Sequence, residues 1–241
     1  MQNRGLIITA YDWMNEQLSP KEREKLEFEY QAGASNTRIM THIFNHFHIT
    51  AAHAENVPLE ELKKILTQTF READQDSYSY IFIGCHGSPN GLSMINDPRT
   101  GSTVSLSYTH LRELLDQIPG IKVLMIDACY SGNSIRPDTA AVRSLNPGKD
   151  DSFRRQILEA FAAPPRGPMV RSGELRGSSY RILAACEPEQ YAFFNNWGGC
   201  FTQIWCQGMG IDPGSKELRL LDKKEADWDG DGYFALEDLA R

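Results

Sequence analysis

The sequence predicts an α/β fold in which a mainly parallel central sheet carries helices on both faces. Four apolar segments are rich in Ile, Leu, Val and aromatic residues and lack polar alternation, which is typical of parallel strands covered on both sides. They are Gly5–Ala10, Tyr80–Gly84, Lys122–Asp127 and Tyr180–Ala185, with a weaker fifth segment at Ile49–Ala52. Helical patterns lie between these segments, and such alternation of strands and helices indicates an α/β domain.

Three amphipathic helices are expected between the strands. The first is predicted to begin at Asn36, whose short polar side chain suits an N-cap. The second is predicted to follow Pro58, since proline fits the first turn of a helix. The third is predicted to run from a Ser107 cap to a stop at Pro119-Gly120. Each carries apolar residues three and four apart, as a helix packed on a sheet requires.

Composition and charge restrict the class of protein. The chain has 241 residues, of which 41% are hydrophobic and 24% charged, so we expect residues 1–241 to form a single domain. A net charge of −7 argues against nucleic acid or an anionic membrane as the main partner. No apolar segment approaches the roughly 20 residues of a membrane helix, and the start lacks the features of a signal peptide.

The cysteines indicate a reducing compartment. There are five, an odd number, and none is spaced as CxxC. A disulfide framework or a zinc site is therefore not expected, and the cytoplasm is the predicted location.

The segment Asn133–Ser178 differs in composition from the rest of the chain. It contains five prolines and eight basic residues, with only a short helical pattern near its middle. A connection of this length in a small domain is usually functional or disordered. We interpret residues 133–178 as a mobile linker segment.

Reactive residues follow two of the predicted strands. One strand runs into Cys85-His86-Gly87 and another into Asp127-Ala128-Cys129-Tyr130-Ser131-Gly132. The helix Tyr108–Ile118 is predicted to connect them, so the strands are expected to be neighbours in the sheet. Because functional sites in parallel sheets form beyond the carboxyl ends of the strands, an imidazole and a thiol are expected at one edge.

Such a pair suits nucleophilic catalysis at a peptide carbonyl. A free thiol has a pKa of about 8.5, so it needs a neighbouring base to become a thiolate at neutral pH. His86 is the candidate base and Cys129 the candidate nucleophile. The backbone N–H groups of Gly87 and Cys129 are the candidate donors to the oxyanion, since glycine leaves its N–H accessible to substrate.

These two segments resemble the His-Gly and Asp-x-Cys-x-Ser-Gly signatures of the caspase-like cysteine peptidase superfamily. Bacterial metacaspases (orthocaspases) are the most similar variants, followed by clostripain-like peptidases. Two flanking segments add weaker likeness: Gln31–Asn36 resembles the turn before the first family helix, and Gly199–Gln203 resembles a late Gly-x-Phe-Thr segment. The resemblance implies a caspase-like fold, a Cys–His dyad and hydrolysis of peptide bonds.

The resemblance also bears on specificity. The residue two positions before the nucleophile points into the primary specificity pocket in this superfamily, and aspartate-cleaving caspases have glutamine there. Here it is Asp127, and a carboxylate at the base of the pocket favours Arg or Lys before the scissile bond. Glu187 and Glu189 are candidates for a second pocket acid. The alternative is that Asp127 only hydrogen-bonds locally, as short polar residues often do.

An acidic segment near the end of the sequence fits a calcium loop. Carboxylates occupy positions one, three and five, a glycine occupies position six, and an apolar residue occupies position eight. The candidate ligands are Asp227, Asp229, Asp231, Tyr233 and Asp238, so residues 227–238 are predicted to form a calcium-type loop. Bacterial caspase-like enzymes often carry a similar segment. The alternative is an acidic surface turn, and no organic cofactor is expected.

The predicted function is therefore cysteine endopeptidase activity after Arg or Lys, with a protein or peptide as substrate. Self-cleavage in the basic linker segment is expected to accompany it. An alternative from another class is a caspase-fold pseudoenzyme or protein-binding scaffold that calcium switches. A nucleotide-binding domain is disfavoured, because the chain contains neither a G-x-G-x-x-G loop after a strand nor a Walker lysine.

Overall fold

The structure is a computed structural model that describes residues 3–11, 19–97, 100, 102–131, 179–186, 190–195, 197–215 and 218, with residues 22 and 23 described in backbone only. The helices are α1 (Pro20–His46), α2 (Leu59–Thr69), α3 (Tyr108–Leu115) and α4 (Cys200–Gly208). The strands are β1 (Arg4–Ala10), β2 (Thr50–Glu55), β3 (Tyr78–Cys85), β4 (Gly87–Ser88), β5 (Gly91–Asp97), β6 (Ser102–Ser107), β7 (Ile121–Asp127), β8 (Tyr180–Ala184), β9 (Phe194–Asn195) and β10 (Gly198–Gly199).

The central sheet has five strands in the order β2-β1-β3-β7-β8. Every neighbouring pair in it is parallel. The predicted α/β class with a parallel sheet is thus confirmed, and so is the weaker fifth segment, which is β2. Because β3 and β7 are neighbours, the two chain segments with reactive residues leave the sheet side by side.

Both faces of the sheet are buried, as the unbroken apolar strands predict. The period of two along β1 sends Leu6 and Ile8 to one face and Ile7 to the other. The Leu6 face packs with the apolar sides of α2 and α3. The Ile7 face packs with α1 and α4. Burial on both faces explains why these strands lack polar alternation.

Helix α1 begins at Pro20, so the prediction that it starts at Asn36 was wrong. Asn36 lies inside the helix and is fully buried. Its amide donates to the Tyr11 hydroxyl at 3.0 Å and accepts from the Gly199 N–H at 2.8 Å. The Asn36 side chain therefore forms its hydrogen bonds with distant segments and does not cap a helix. The segment Gln31–Asn36 is accordingly helical and does not form a turn.

The other two helix starts agree with the sequence. Helix α2 follows Pro58 directly. At the start of α3 the Ser107 hydroxyl accepts from the His110 N–H at 3.1 Å, which is the predicted N-cap bond. Helix α3 ends at Leu115, and Gly120 adopts a positive φ of 76° where the chain turns into β7.

In chain order, β3 and α3 are separated by a three-stranded antiparallel sheet, β4-β5-β6. This sheet was not predicted. Its strands contain several Ser, Thr and Asp residues, which weaken the apolar pattern. Leu92, Met94 and Ile95 of β5 are buried in the same core as α2 and α3. The sheet also holds the end of β3, because the Ser93 N–H donates to the His86 carbonyl at 2.8 Å.

Within the described ranges, none of the helices combines the length and the apolar character that crossing a lipid bilayer demands.

Candidate active site

The carboxyl ends of β3 and β7 bring His86, Gly87 and Cys129 together. The register pairs Gly84 with Asp127, so His86 and Cys129 follow at matching positions. The two backbones touch beyond the sheet: a methyl group built on Gly87 would lie 1.9 Å from the Cys129 carbonyl oxygen. Glycine at 87 is therefore required by the close approach of the two segments, in addition to any role toward substrate.

The chain turns sharply after the thiol. Tyr130 adopts a positive φ of 56°, which is rare for a residue with a side chain. Two hydrogen bonds hold it: its N–H donates to the Gln190 carbonyl at 2.9 Å, and its carbonyl accepts from the Tyr108 hydroxyl at 3.2 Å. Surrounding contacts of this kind are what maintain a strained conformation at a functional turn.

The same turn is tied to the end of β8. Ser131 is fully buried, and its hydroxyl accepts from the Cys186 N–H at 3.3 Å. The Cys186 thiol in turn donates to the Ala128 carbonyl at 3.3 Å. The serine of the Asp-Ala-Cys-Tyr-Ser-Gly segment thus stabilises the backbone on either side of Cys129.

The Cys129 thiol is partly exposed and donates to the Ala192 carbonyl at 3.5 Å. Burial is the main cause that raises the pKa of the Cys129 thiol above its ordinary value. The resting residue is thus a neutral thiol at pH 7. Nucleophilic attack therefore requires a base that removes the proton.

His86 lies beside aromatic rings and beside a buried acidic side chain. Its ring makes edge contacts with Tyr11 at 5.9 Å and with Phe194 at 6.4 Å between ring centroids. Its Nε2 atom is 3.2 Å from a carboxylate oxygen of Glu29 on α1. Glu29 is only 3% exposed. These contacts hold the imidazole at the carboxyl end of β3.

Glu29 was not predicted as a site residue, because it lies before Asn36, where the first helix was predicted to begin. It lies two helical turns before Asn36, on the buried face that continues through Ile39, Met40 and Ile43. A charged residue in phase with an apolar stripe is a recognisable signal, since carboxylates are seldom buried without a partner.

Asp127 is almost fully buried, at 4% exposure, and contacts the start of α4. Its Oδ2 atom accepts from the Thr202 N–H at 3.3 Å and from the Thr202 hydroxyl at 2.5 Å. The N-cap of α4 is Gly199, which has no side chain to cap the helix. Asp127 supplies that cap from β7, where the helix dipole favours a negative charge.

Burial nevertheless raises the pKa of Asp127 to about 6, against the opposing effect of the two Thr202 hydrogen bonds. The carboxylate is therefore mostly ionised at pH 7. A methyl group on Gly199 would lie 1.9 Å from Asp127 Oδ2, so the close approach of the carboxylate requires glycine at this position.

Exposed aromatic side chains surround this edge of the sheet. Tyr191, Phe193 and Trp197 are more than half exposed. Trp205 and Cys206 of α4, by contrast, are buried. Tyr191 and Phe193 flank Ala192, whose carbonyl contacts the Cys129 thiol, so apolar surface borders the candidate nucleophile.

Several predicted site residues lie outside the described residues. They are Glu187, Glu189, the linker segment 133–178, and the calcium-type loop with Asp227, Asp229, Asp231, Tyr233 and Asp238. Within the described part of the chain, His, Cys, Asp and Glu side chains form no group of three that could hold a metal ion. The calcium prediction and the second pocket acids thus stay predictions.

Comparison with solved structures identifies the architecture. The crystal structure of caspase-1 from Spodoptera frugiperda superposes with a TM-score of 0.51 at 14% sequence identity, over 86% of this chain and 70% of that chain. The fold is caspase-like. Raptor from Chaetomium thermophilum matches with a TM-score of 0.43 and 13% identity, over 85% of this chain and 17% of that one. No protein-family model and no curated protein sequence matches the chain.

Proposed function

We propose that the protein is a caspase-like cysteine endopeptidase of the metacaspase type, with Cys129 as nucleophile and His86 as base. The observation that carries the proposal is the meeting of the His86-Gly87 and Cys129 backbones at adjoining strand ends. The Asp127–Gly132 segment, which resembles the metacaspase signature, supports the choice among caspase-like groups.

The proposed reaction follows from the chemistry of this pair. The proton on Cys129 Sγ passes to the His86 imidazole, and the thiolate attacks the carbonyl carbon of the scissile bond. The N–H groups of Gly87 and Cys129 donate to the oxyanion. Collapse of the tetrahedral intermediate transfers the imidazolium proton to the leaving amine and leaves a thioester. A water molecule deprotonated by His86 then hydrolyses the thioester and frees the thiol.

A preference for Arg or Lys before the scissile bond is supported by Asp127. The carboxylate is nearly buried, and its described hydrogen bonds both use Oδ2 and come from Thr202. A substrate cation would pair with a negative charge that burial otherwise destabilises. A guanidinium group suits such a site, because it donates to a carboxylate in a fixed planar geometry. Glu187 and Glu189 remain candidates for a second acid.

The scaffold alternative is favoured by one observation, the contact between the Cys129 thiol and the Ala192 carbonyl. In a pseudoenzyme this contact would persist and the thiol would never meet a substrate. In an enzyme, substrate would displace the carbonyl and bind along the segment 190–195.

A fluorogenic peptide panel distinguishes the two functions. The peptides should vary only in the residue before the scissile bond, with Arg, Lys, Asp, Gln and Leu represented, and each should be assayed with and without calcium. Cleavage after Arg and Lys supports the peptidase. Cleavage after Asp contradicts the proposed specificity, and the absence of all cleavage under both conditions favours the scaffold.

Calcium is expected to bind the loop 227–238 and stabilise the folded protein. A ligand that binds only the folded state stabilises it by about 2.7 kcal/mol when present at 100 times its Kd. A rise in Tm with calcium, measured by calorimetry, checks this expectation. The variant Asp229→Asn should lose most of the rise, since it removes a charged ligand. A wild-type Tm that does not change at millimolar calcium would contradict the proposed calcium site.

Self-cleavage is expected within 133–178. That segment begins four residues after the nucleophile and carries eight basic residues. A tethered substrate is present at high effective concentration. Intact-mass measurement of wild type and Cys129→Ala after incubation with calcium checks the expectation. Fragments ending in Arg or Lys should appear in the wild type alone, whereas a wild type that turns over peptide and stays whole would show that processing is unnecessary.

We also propose a cytoplasmic location, which the odd number of cysteines and their lack of CxxC spacing support.

A further inference from the structure

We propose that Glu29 is a positioning residue that orients the His86 imidazole and sets which of its nitrogens accepts the proton of Cys129. This inference rests on the proposed function and adds a third side chain to the dyad. Its basis is the 3.2 Å contact between Glu29 Oε2 and His86 Nε2, made by a carboxylate that is 3% exposed.

The burial of Glu29 calls for a physical reason. A carboxylate removed from water destabilises the fold unless it is paired and hydrogen-bonded. The described partners of Glu29 are His86 and Lys25, the latter at 3.5 Å with its side chain 75% exposed. A solvated lysine at that distance stabilises a carboxylate little. The hydrogen bond with His86 is the main cause that lowers the pKa of Glu29, so the carboxylate is ionised at neutral pH.

An ionised carboxylate can only accept a hydrogen bond. Nε2 of His86 must therefore carry the hydrogen in this contact, because a carboxylate offers no proton to a bare nitrogen. In the neutral imidazole the lone pair is then on Nδ1. Nδ1 becomes the atom that takes the thiol proton, and the carboxylate stabilises the imidazolium that results. Glu29 itself remains unprotonated throughout.

Neither of the aromatic side chains that contact the imidazole supplies this charge. Burial raises the pKa of Tyr11 well above its ordinary value, so that residue stays neutral at its edge contact with His86. Phe194 on the other side is apolar. Cys129 is a neutral thiol at rest, and the Lys25 side chain lies 3.5 Å from the other carboxylate oxygen of Glu29, Oε1.

The kinetic test is Glu29→Gln, which keeps the shape and removes the charge. We expect kcat to fall by about 10- to 100-fold, the usual effect of losing an outer partner of a functional histidine, with KM within about twofold of wild type. The acid limb of the kcat profile should move to lower pH by about one unit, because the imidazolium loses a neighbouring negative charge. Glu29→Asp should recover part of kcat and of the limb position.

Glu24→Gln is the matched control. It removes one carboxylate from an exposed position on the same helix and should change neither kcat nor the pH profile. A purely structural role for Glu29 would lower Tm and leave the pH limb in place. An unshifted limb in a folded Glu29→Gln protein would overturn the proposal.

Nitrogen-15 NMR of His86 separates this inference from the proposed function, because it requires no turnover. In wild type at a pH where the ring is neutral, the hydrogen should be found on Nε2. In Glu29→Gln the titration of the ring should move to lower pH. Finding the hydrogen on Nδ1 in the wild type would overturn the positioning role even if the variant failed to fold. If the wild type cleaves no peptide but both NMR results are obtained, the proposed peptidase activity is wrong. The positioning of His86 by Glu29 would still stand.

Discussion

Replacing Cys129 by alanine is expected to abolish peptide cleavage, with kcat/KM reduced by more than about 10⁴-fold, because the nucleophile that forms the thioester is gone. His86→Ala should lower kcat by about 10²- to 10⁴-fold, the usual contribution of a general base, since burial keeps the Cys129 thiol protonated without one. Both effects are measured on a fluorogenic peptide with Arg before the scissile bond.

Cys200→Ala is the matched control for this experiment. Cys200 is also partly buried, and burial likewise raises the pKa of its thiol, but it stands at the first turn of α4. Its removal should leave kcat/KM within a few-fold of wild type. Tm of the Cys129→Ala protein should match wild type, so that lost activity cannot reflect unfolding. Cleavage at the wild-type rate by Cys129→Ala would show that the mechanism is wrong.

Replacing Asp127 by asparagine is expected to lower kcat/KM for Arg peptides by about 30-fold or more, equivalent to the roughly 2–5 kcal/mol lost when a buried charge loses its partner. Asparagine keeps an oxygen that can accept from Thr202, so the cap of α4 should persist. Asp127→Ala removes both roles and should cost about 1–3 kcal/mol of stability in addition. Comparing the two variants separates recognition from folding.

Thr202→Val is the complementary control to Asp127→Asn. It deletes the hydroxyl that donates to Asp127 and keeps the carboxylate. Stability should fall, while the preference for Arg over Leu peptides should persist. If Asp127→Asn leaves the Arg preference at the wild-type level, Asp127 is only a helix cap and the pocket acid must be sought elsewhere.

Because burial raises the pKa of Asp127 to about 6, both the recognition of Arg peptides and the stability of the fold should depend on pH. Below that pH the carboxylate is protonated, so KM for Arg peptides should rise as the pH falls through 6. For stability the sign is opposite. The folded protein binds this proton more tightly than the unfolded chain, so the contribution is present below pH about 4 and is lost as the pH rises to about 6. Denaturant titrations should show this loss in wild type and not in Asp127→Asn.

The central strands, the adjacency of β3 and β7, and the position of the reactive residues could be predicted from the sequence. Strands covered on both faces are continuous apolar segments, which are recognisable without knowledge of the partners. His86 and Cys129 directly follow two such segments, and parallel strands place their carboxyl ends at one edge. The Ser107 cap of α3 is equally local, because donor and acceptor are three residues apart.

Only the tertiary structure decided which side chains surround these residues. Glu29 and His86 are separated by 57 residues, and Asp127 and Thr202 by 75. A periodic pattern can show that a polar residue is buried, but it does not show which distant residue is its partner. Residues such as Asn36 also mislead, because a polar side chain satisfied by tertiary bonds looks like a local cap. The sequence by itself thus determined the strands and the pair of reactive residues at their ends. Packing of α1 and α4 against the sheet determined what orients the imidazole and what the Asp127 carboxylate contacts, because those bonds exist only once distant segments are brought together.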